Sequence, residues 1–109
     1  MDSPSIDMVS LRSAVFRGQI QWQRHALERM LERGIHRSEV VETLLSGTRI
    51  ADYPQDNPLP SALVLGWIEM RPLHVVVASN DALGVASIIT VYEPSPEYFE
   101  ADFRTRKRK

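Results

Sequence analysis

The chain of 109 residues contains no cysteine, which excludes disulfide frameworks, thiolate zinc sites and cysteine nucleophiles. It also lacks long apolar runs. Its hydrophobic stretches reach a handful of residues, against the roughly 20 that a membrane-crossing helix needs. Residues 1–16 show no basic segment leading into an apolar one, so they do not read as a secretory signal, and a cytoplasmic location is the expectation. No phosphate-cradling glycine loop, HExxH, GxSxG or carboxylate-rich metal cluster is present. The three histidines, His25, His36 and His74, lie far apart in sequence. A zinc site built from them would need a tertiary coincidence and a fourth ligand, so neither a metal nor a cofactor is expected.

What is present begins with residues 72–94, PLHVVVASNDALGVASIITVYEP. Two β-branched apolar runs flank a polar turn, the pattern of a buried hairpin. Leu73, Val75 and Val77 alternate with His74, Val76 and Ala78, so one face is wholly apolar and the other opens on an imidazole. Asn80, Asp81 and Gly84 supply turn chemistry. Symmetric closure would set His74 opposite Thr90, with Tyr92 next along that face.

Before the hairpin the period is helical. Residues from Ser3-Pro4 or Ser5 to Phe16 form an imperfect amphipathic helix ending near Gly18, with Asp7 at its positive end. Ile20-Gln21-Trp22 is short and extended and suits an edge strand. Residues 24–33 are the clearest helix, with a core stripe of Leu27, Met30 and Leu31 and Gly34 as its stop. A second helix runs to Ser46, burying Val40, Val41, Leu44 and Leu45, and stops at Gly47. Residues 49–53 and 62–70 read as strands around a proline-rich loop, 54–60, that cannot sit inside a sheet. A last helical turn over 97–103 would lay Tyr98, Phe99 and Phe103 on the core. The expected fold is α+β, a single domain over residues 1–109. Its helices pack on one face of a four-stranded antiparallel sheet, with residues 1–5 and 104–109 as flexible ends.

The net charge of −1 hides an asymmetry. Residues 104–109 hold five of the 13 basic residues, both lysines among them, and no acid. A basic end on an acidic body suits phosphate contact, or is a solvated terminus. His25, Arg29 and Arg33 follow one side of a helix, either as a solvated face laced by pairs such as Arg24–Glu28 and Arg29–Glu32 or as a phosphate-binding surface suited to the guanidinium fork. His74 stands at the head of an apolar strand, as a structural histidine or a proton carrier, with Arg71 at its entry and Tyr92 and Glu93 at the end of the next strand.

These residues, in order, resemble a known family. His25-Ala26-Leu27-Glu28-Arg29-Met30, Arg33-Gly34-Ile35, Asp52-Tyr53-Pro54, Pro58-Leu59-Pro60, Leu65-Gly66, Arg71-Pro72-Leu73-His74-Val75-Val76 and Thr90-Val91-Tyr92-Glu93-Pro94 are similar to bacterial domain-of-unknown-function family 4258. In outline that family resembles the RelE, BrnT and MqsR-like toxins of toxin–antitoxin pairs. The resemblance implies a RelE-like α+β fold, metal-independent RNA cleavage and a zinc-finger antitoxin as cognate partner. One departure is His36, where the family usually carries the Ser or Thr of a capping box with Glu39. On this reading His74, His25 and Tyr92 carry proton transfer and orientation. Arg29, Arg33, Arg71, Arg104 and Arg106 hold the RNA phosphates. The alternative is a non-catalytic partner-binding or regulatory module on the same fold, which the acidic body favours.

Overall fold

The first helix starts where Asp7 caps it. The Asp7 carboxylate accepts from the Val9 N–H at 3.0 Å, so α1 (Met8–Phe16) begins after this aspartate rather than at the preceding serine and proline. The computed structural model describes residues 5–108, and of the flexible end expected over residues 1–5, residues 1–4 lie outside them. After α1 come β1 (Ile20–Trp22), α2 (Arg24–Arg33), α3 (Arg37–Ser46), β2 (Thr48–Tyr53), β3 (Ser61–Ile68), β4 (Arg71–Asn80) and β5 (Val85–Tyr92). Among the described residues no helix is long and apolar enough to cross a membrane.

The sheet has five strands in the order β1-β5-β4-β3-β2 and is mixed, which corrects the expected four antiparallel strands. The β2–β5 meander is antiparallel, as short connections dictate. The fifth strand is the short piece after α1. It lies parallel to β5, pairing Gln21 with Ser87 and Trp22 with Ile88, because two helices and the meander separate the two strands in sequence.

One face of this sheet carries the helices. Leu73, Val75 and Val77 of β4, Ala62 and Val64 of β3, and Ala86, Ile88 and Val91 of β5 pack with Leu11, Ala14 and Val15 of α1, Ala26 and Met30 of α2, and Val40 and Leu44 of α3. Each large aliphatic side chain buried there contributes about 1.5–3 kcal/mol. The α2 stripe is rotated from the expected one. Ala26 and Met30 face inward, whereas Leu31 is 85% exposed. In α3 the inward set is Val40, Thr43 and Leu44, while Leu45 is exposed. The small Ala26 and Thr43 win those positions because α2 and α3 lie close on the sheet.

Glycine sets that closeness under α3. A Cβ on Gly66 of β3 would stand 2.6 Å from Thr43 Oγ1 and 2.8 Å from Thr43 Cγ2. Gly47, with an extended φ of −80°, ends α3 for the same reason, since a Cβ there would meet the Thr43 and Leu65 carbonyl oxygens. Arg12 then ties α1 to the end of α3, donating to the Leu44 and Gly47 carbonyls at 3.1 and 2.8 Å.

A Gly66→Ala substitution is expected to cost about 1–3 kcal/mol by overpacking, and adding Thr43→Ala to recover part of it. Urea denaturation of the two single variants and the double variant checks this coupling. Additive losses would show that the two residues do not share the space.

Candidate active site

The face of the sheet opposite the helices is covered by the C-terminal segment, and His74 is where the two meet. His74 lies in β4 with zero solvent exposure. Its Nε2 stands 2.8 Å from the Phe103 carbonyl oxygen and its Nδ1 3.2 Å from the Tyr92 hydroxyl. A carbonyl can only accept, so Nε2 carries the proton and donates, and Nδ1 accepts from the Tyr92 O–H. Burial pushes the imidazole below its ordinary range, with the Phe103 carbonyl partly opposing the shift. The ring also meets Tyr92 and Phe99 edge-on, at centroid distances of 5.3 and 4.9 Å. His74 is therefore a neutral pin, shut off from solvent.

Its cross-strand partner is Tyr92 rather than the expected Thr90. The hairpin loop pairs Asn80 with Val85, and a bulge at Ile89 shifts the register by one residue. That shift puts the phenol directly opposite the imidazole. Burial, and next to it Tyr53, holds the Tyr92 hydroxyl above its usual range, so it stays protonated at neutral pH.

The segment that His74 pins is not the helical turn expected over 97–103. It is a turn-rich strap. Phe99 pairs with Arg106 in a lone antiparallel bridge, and the Glu100 N–H donates to the Thr105 carbonyl at 2.8 Å. Lys107 N–H donates to the Tyr98 carbonyl at 2.9 Å. Asp102 closes the turn by accepting from the Arg104 and Thr105 N–H groups, both at 2.9 Å, and these bonds keep its carboxyl below the usual range. Of the tail expected to be loose, residues 104–107 are thus held in this turn, while Lys109 lies outside the described residues. The Arg106 guanidinium sits 5.4 Å from the Phe99 ring centroid, and Phe103 meets Trp67 edge-on.

Between strap and sheet lies a cavity of about 210 Å³ into which Tyr53, Tyr92, Phe99, Arg104 and Arg106 project. Next to it Arg33, Tyr92 and Glu93 border a shallower hollow of about 410 Å³. Tyr92 is common to both. The structure thus gathers Tyr92, Arg104, Arg106 and Arg33 of the sequence-predicted residues around one phenol.

It does not bring the others there. Arg71 is on the helix side of β4, bonded to Glu39 of α3 and 3.2 Å from Glu93. Glu39 also accepts from the His36 N–H at 2.8 Å, so the Glu39 half of the capping box forms despite the histidine. That N–H, followed by Arg71, holds the Glu39 carboxyl low. Arg29 pairs with Glu32 at 2.9 Å and Arg24 with Glu28 at 3.1 Å, the solvated helix pairs that the spacing predicts. His25 is exposed on α2. Arg33 donates to the Val91 carbonyl at 2.6 Å, which fixes α2 to the end of β5. Among the described residues His74 and Arg29 share no hollow: His74 is fully buried and Arg29 is paired with Glu32 on α2, so Arg33 alone of the predicted α2 arginines reaches Tyr92. Two more residues line the cavity, Tyr53, which the sequence leaves open between strand-end packing and catalysis, and Phe99, which it places only on the core. Their signal is aromatic side chains at a strand end and between the charges of the tail.

Among the described residues, no cluster of three histidine, aspartate or glutamate side chains could hold a metal. A family model described as a domain of unknown function (DUF4258) matches residues 22–93. No curated protein and no solved structure matches the chain. The matched span runs from β1 to Glu93, so it contains His74, Tyr92 and Arg33 and stops short of the strap.

A neutral, buried imidazole makes stability depend on pH in a definite direction. Unfolding returns His74 to an ordinary pKa near 6.5, above its folded value, so the unfolded chain binds the extra proton first. The stabilisation is complete above about pH 6.5 and is lost as the pH falls toward the depressed folded pKa. Replacing His74 with Phe is expected to cost about 2 kcal/mol, by leaving the Tyr92 and Phe103 groups unpaired, and to flatten that slope. Denaturant titrations across this pH range compare the two proteins. An unchanged slope in the variant would remove His74 from the account.

Proposed function

The chain belongs to the DUF4258 family, and from that premise we propose that it is a toxin-like endoribonuclease that cuts RNA without a metal. The observation that carries this reading is the gathering of Arg104, Arg106 and Tyr53 around Tyr92, with Arg33 and Glu93 in the adjoining hollow. RNA carries its own nucleophile in the 2′-OH. A protein that cleaves it must align that oxygen with the phosphate, take its proton, neutralise the charge that grows on phosphorus and protonate the leaving oxygen.

Guanidiniums suit the third task, since each meets two phosphate oxygens at once. Arg104 and Arg106 lie on the strap and Arg33 at the end of α2, so an RNA phosphate at Tyr92 would be approached from two sides. Tyr92 stays protonated at neutral pH because burial raises its pKa, and to protonate the leaving oxygen its O–H turns from His74 Nδ1. Glu93 follows Tyr92 at the end of β5 and stands 3.2 Å from Arg71; in this reading it leaves that pair to accept the 2′-OH proton. Tyr53 and Phe99 offer aromatic faces for an unstacked base. His74 acts through Tyr92 as a positioning residue, and the basic end beyond Arg106 adds salt-sensitive attraction. A cytoplasmic setting and a cognate zinc-finger antitoxin complete the reading.

One observation favours the second reading, a non-catalytic partner-binding module. His74, the imidazole nearest the hollow, has both ring nitrogens occupied and no access to water.

The test is incubation of the purified protein with single-stranded RNA in EDTA. Cleavage is expected, reduced about 100-fold or more in Tyr92→Phe and in the Arg104→Ala, Arg106→Ala double variant. The double variant should also lower the slope of log affinity against log salt by about 1.4, or 0.7 for each lost phosphate contact. Absence of turnover with capture of a stable small partner would replace this reading with the second.

A further inference from the structure

A second concavity opens on the same strap-side face of the sheet, farther along the strands. We propose that it is a nucleobase pocket, built for a base that carries an exocyclic amino group. The proposal rests on the RNA reading above and gives that site a determinant of substrate preference.

The concavity encloses about 330 Å³, within the size range of small-ligand pockets. Its floor is a row across three strands, in which Ala78 of β4 pairs with Ser61 of β3 on one side and Ser87 of β5 on the other. Both serines are buried, 3% and 4% exposed. Gln23 Nε2 donates to Ser87 Oγ at 2.9 Å. The Ser87 hydroxyl proton and the Gln23 carbonyl oxygen are then left to a ligand. Gln21 is paired with Ser87 across β1 and β5 and lines the same space. Asn57 adds a further side-chain amide at the rim. Amides present a donor and an acceptor side by side, the pattern that reads the edge of a base.

The walls are apolar. Pro58 and Leu59 come from the loop between β2 and β3, and Ile89 from β5. Ile89 is there because of the bulge in β5, which leaves it outside the regular pairing with β4 and aims its side chain at the pocket, as bulges beside sites do. Flat apolar walls with a hydrogen-bonding rim fit a planar heterocycle.

Charge narrows the ligand further. Asp56 is the ionisable side chain of the lining, and it accepts from Ser61 through one carboxylate oxygen. A carboxylate repels phosphate and accepts from an amino group, as on cytosine, adenine or guanine, which uracil lacks. Position agrees with this. Ala78 lies four residues along β4 from His74, about 13 Å at roughly 3.3 Å per residue. A splayed single strand with one phosphate at Arg104 and Arg106 spans that gap and sets a neighbouring base over the two serines.

The test uses free nucleosides, which carry no phosphate for the arginines. Cytidine, adenosine, guanosine and uridine are titrated into 15N-labelled protein, and the side-chain amide signals of Gln21, Gln23 and Asn57 are followed. Saturable shifts are expected with at least one of the three amino-bearing nucleosides, several-fold weaker with uridine. Binding should fall about tenfold in Gln23→Leu, and also in the exposed-site variant Gln21→Ala, which does not touch the folded core. Absence of saturable shifts, equal affinity for uridine, or unchanged affinity in both variants would overturn the proposal. Nucleoside binding without RNA turnover would keep the pocket and remove the ribonuclease reading. RNA turnover without nucleoside binding would remove the pocket alone.

Discussion

The two hydrogen bonds of a single imidazole hold the functional half of this molecule together. The helices need no such device, because one face of the sheet buries aliphatic side chains against all three of them. The other face is covered by a strap of turns and, farther along, by the β2–β3 loop, and such segments bury little apolar area per residue. His74 supplies what area does not. It donates to the strap through Phe103 and accepts from the sheet through Tyr92, while Phe99 packs edge-on against its ring. A buried polar group is tolerated only when its partners are in place, so the pin works in one arrangement of the strap and penalises the others. Tyr53, Tyr92, Arg104 and Arg106 share a cavity as a consequence of that arrangement.

Charge follows the same division. On the helix side several guanidiniums are matched to carboxylates or to carbonyls: Arg71 with Glu39 and Glu93, Arg29 with Glu32, Arg12 with the end of α3. On the strap side Arg106 faces a ring and borders the cavity together with Arg104. Cations that border an open hollow outside any side-chain ion pair are the ones suited to an anionic ligand. The acidic balance of the body therefore does not count against RNA binding at this place. The family match ends at Glu93, before the strap, so the arginines of the cavity belong to the part of the chain that the match does not cover.

Much of the fold was legible in the residues. Alternation in β3, β4 and β5 and the glycine after α2 follow from side-chain period and from backbone freedom at Gly34, whose φ is 66°. The side of α2 that faces inward was not, because Leu31 is as apolar as Met30 and only the close approach of helix to sheet selects Ala26. The register of the hairpin was missed by a bulge, which no local propensity announces. The loop, which pairs Asn80 with Val85, and the bulge each shift the register by one residue, so His74 faces Tyr92 instead of Thr90 and, of its two readings, takes the structural one. The ion pairs of α2 could be read from spacing alone. The meeting of Tyr92 with Arg104 and Arg106 could not, since it depends on a strap whose course is set by contacts from residues far back in the chain.

The strap and the cavity beneath it depend on the state of one ring. Long-range 1H–15N correlation of the histidine side chains reports the tautomer and the titration of His74 directly. A neutral ring protonated at Nε2, staying neutral as the pH falls below 6.5, is the predicted result. A ring that carries its proton at Nδ1, or titrates near 6.5 as a solvated imidazole does, would contradict it, because the strap would then have no pin and the cavity around Tyr92 no fixed shape.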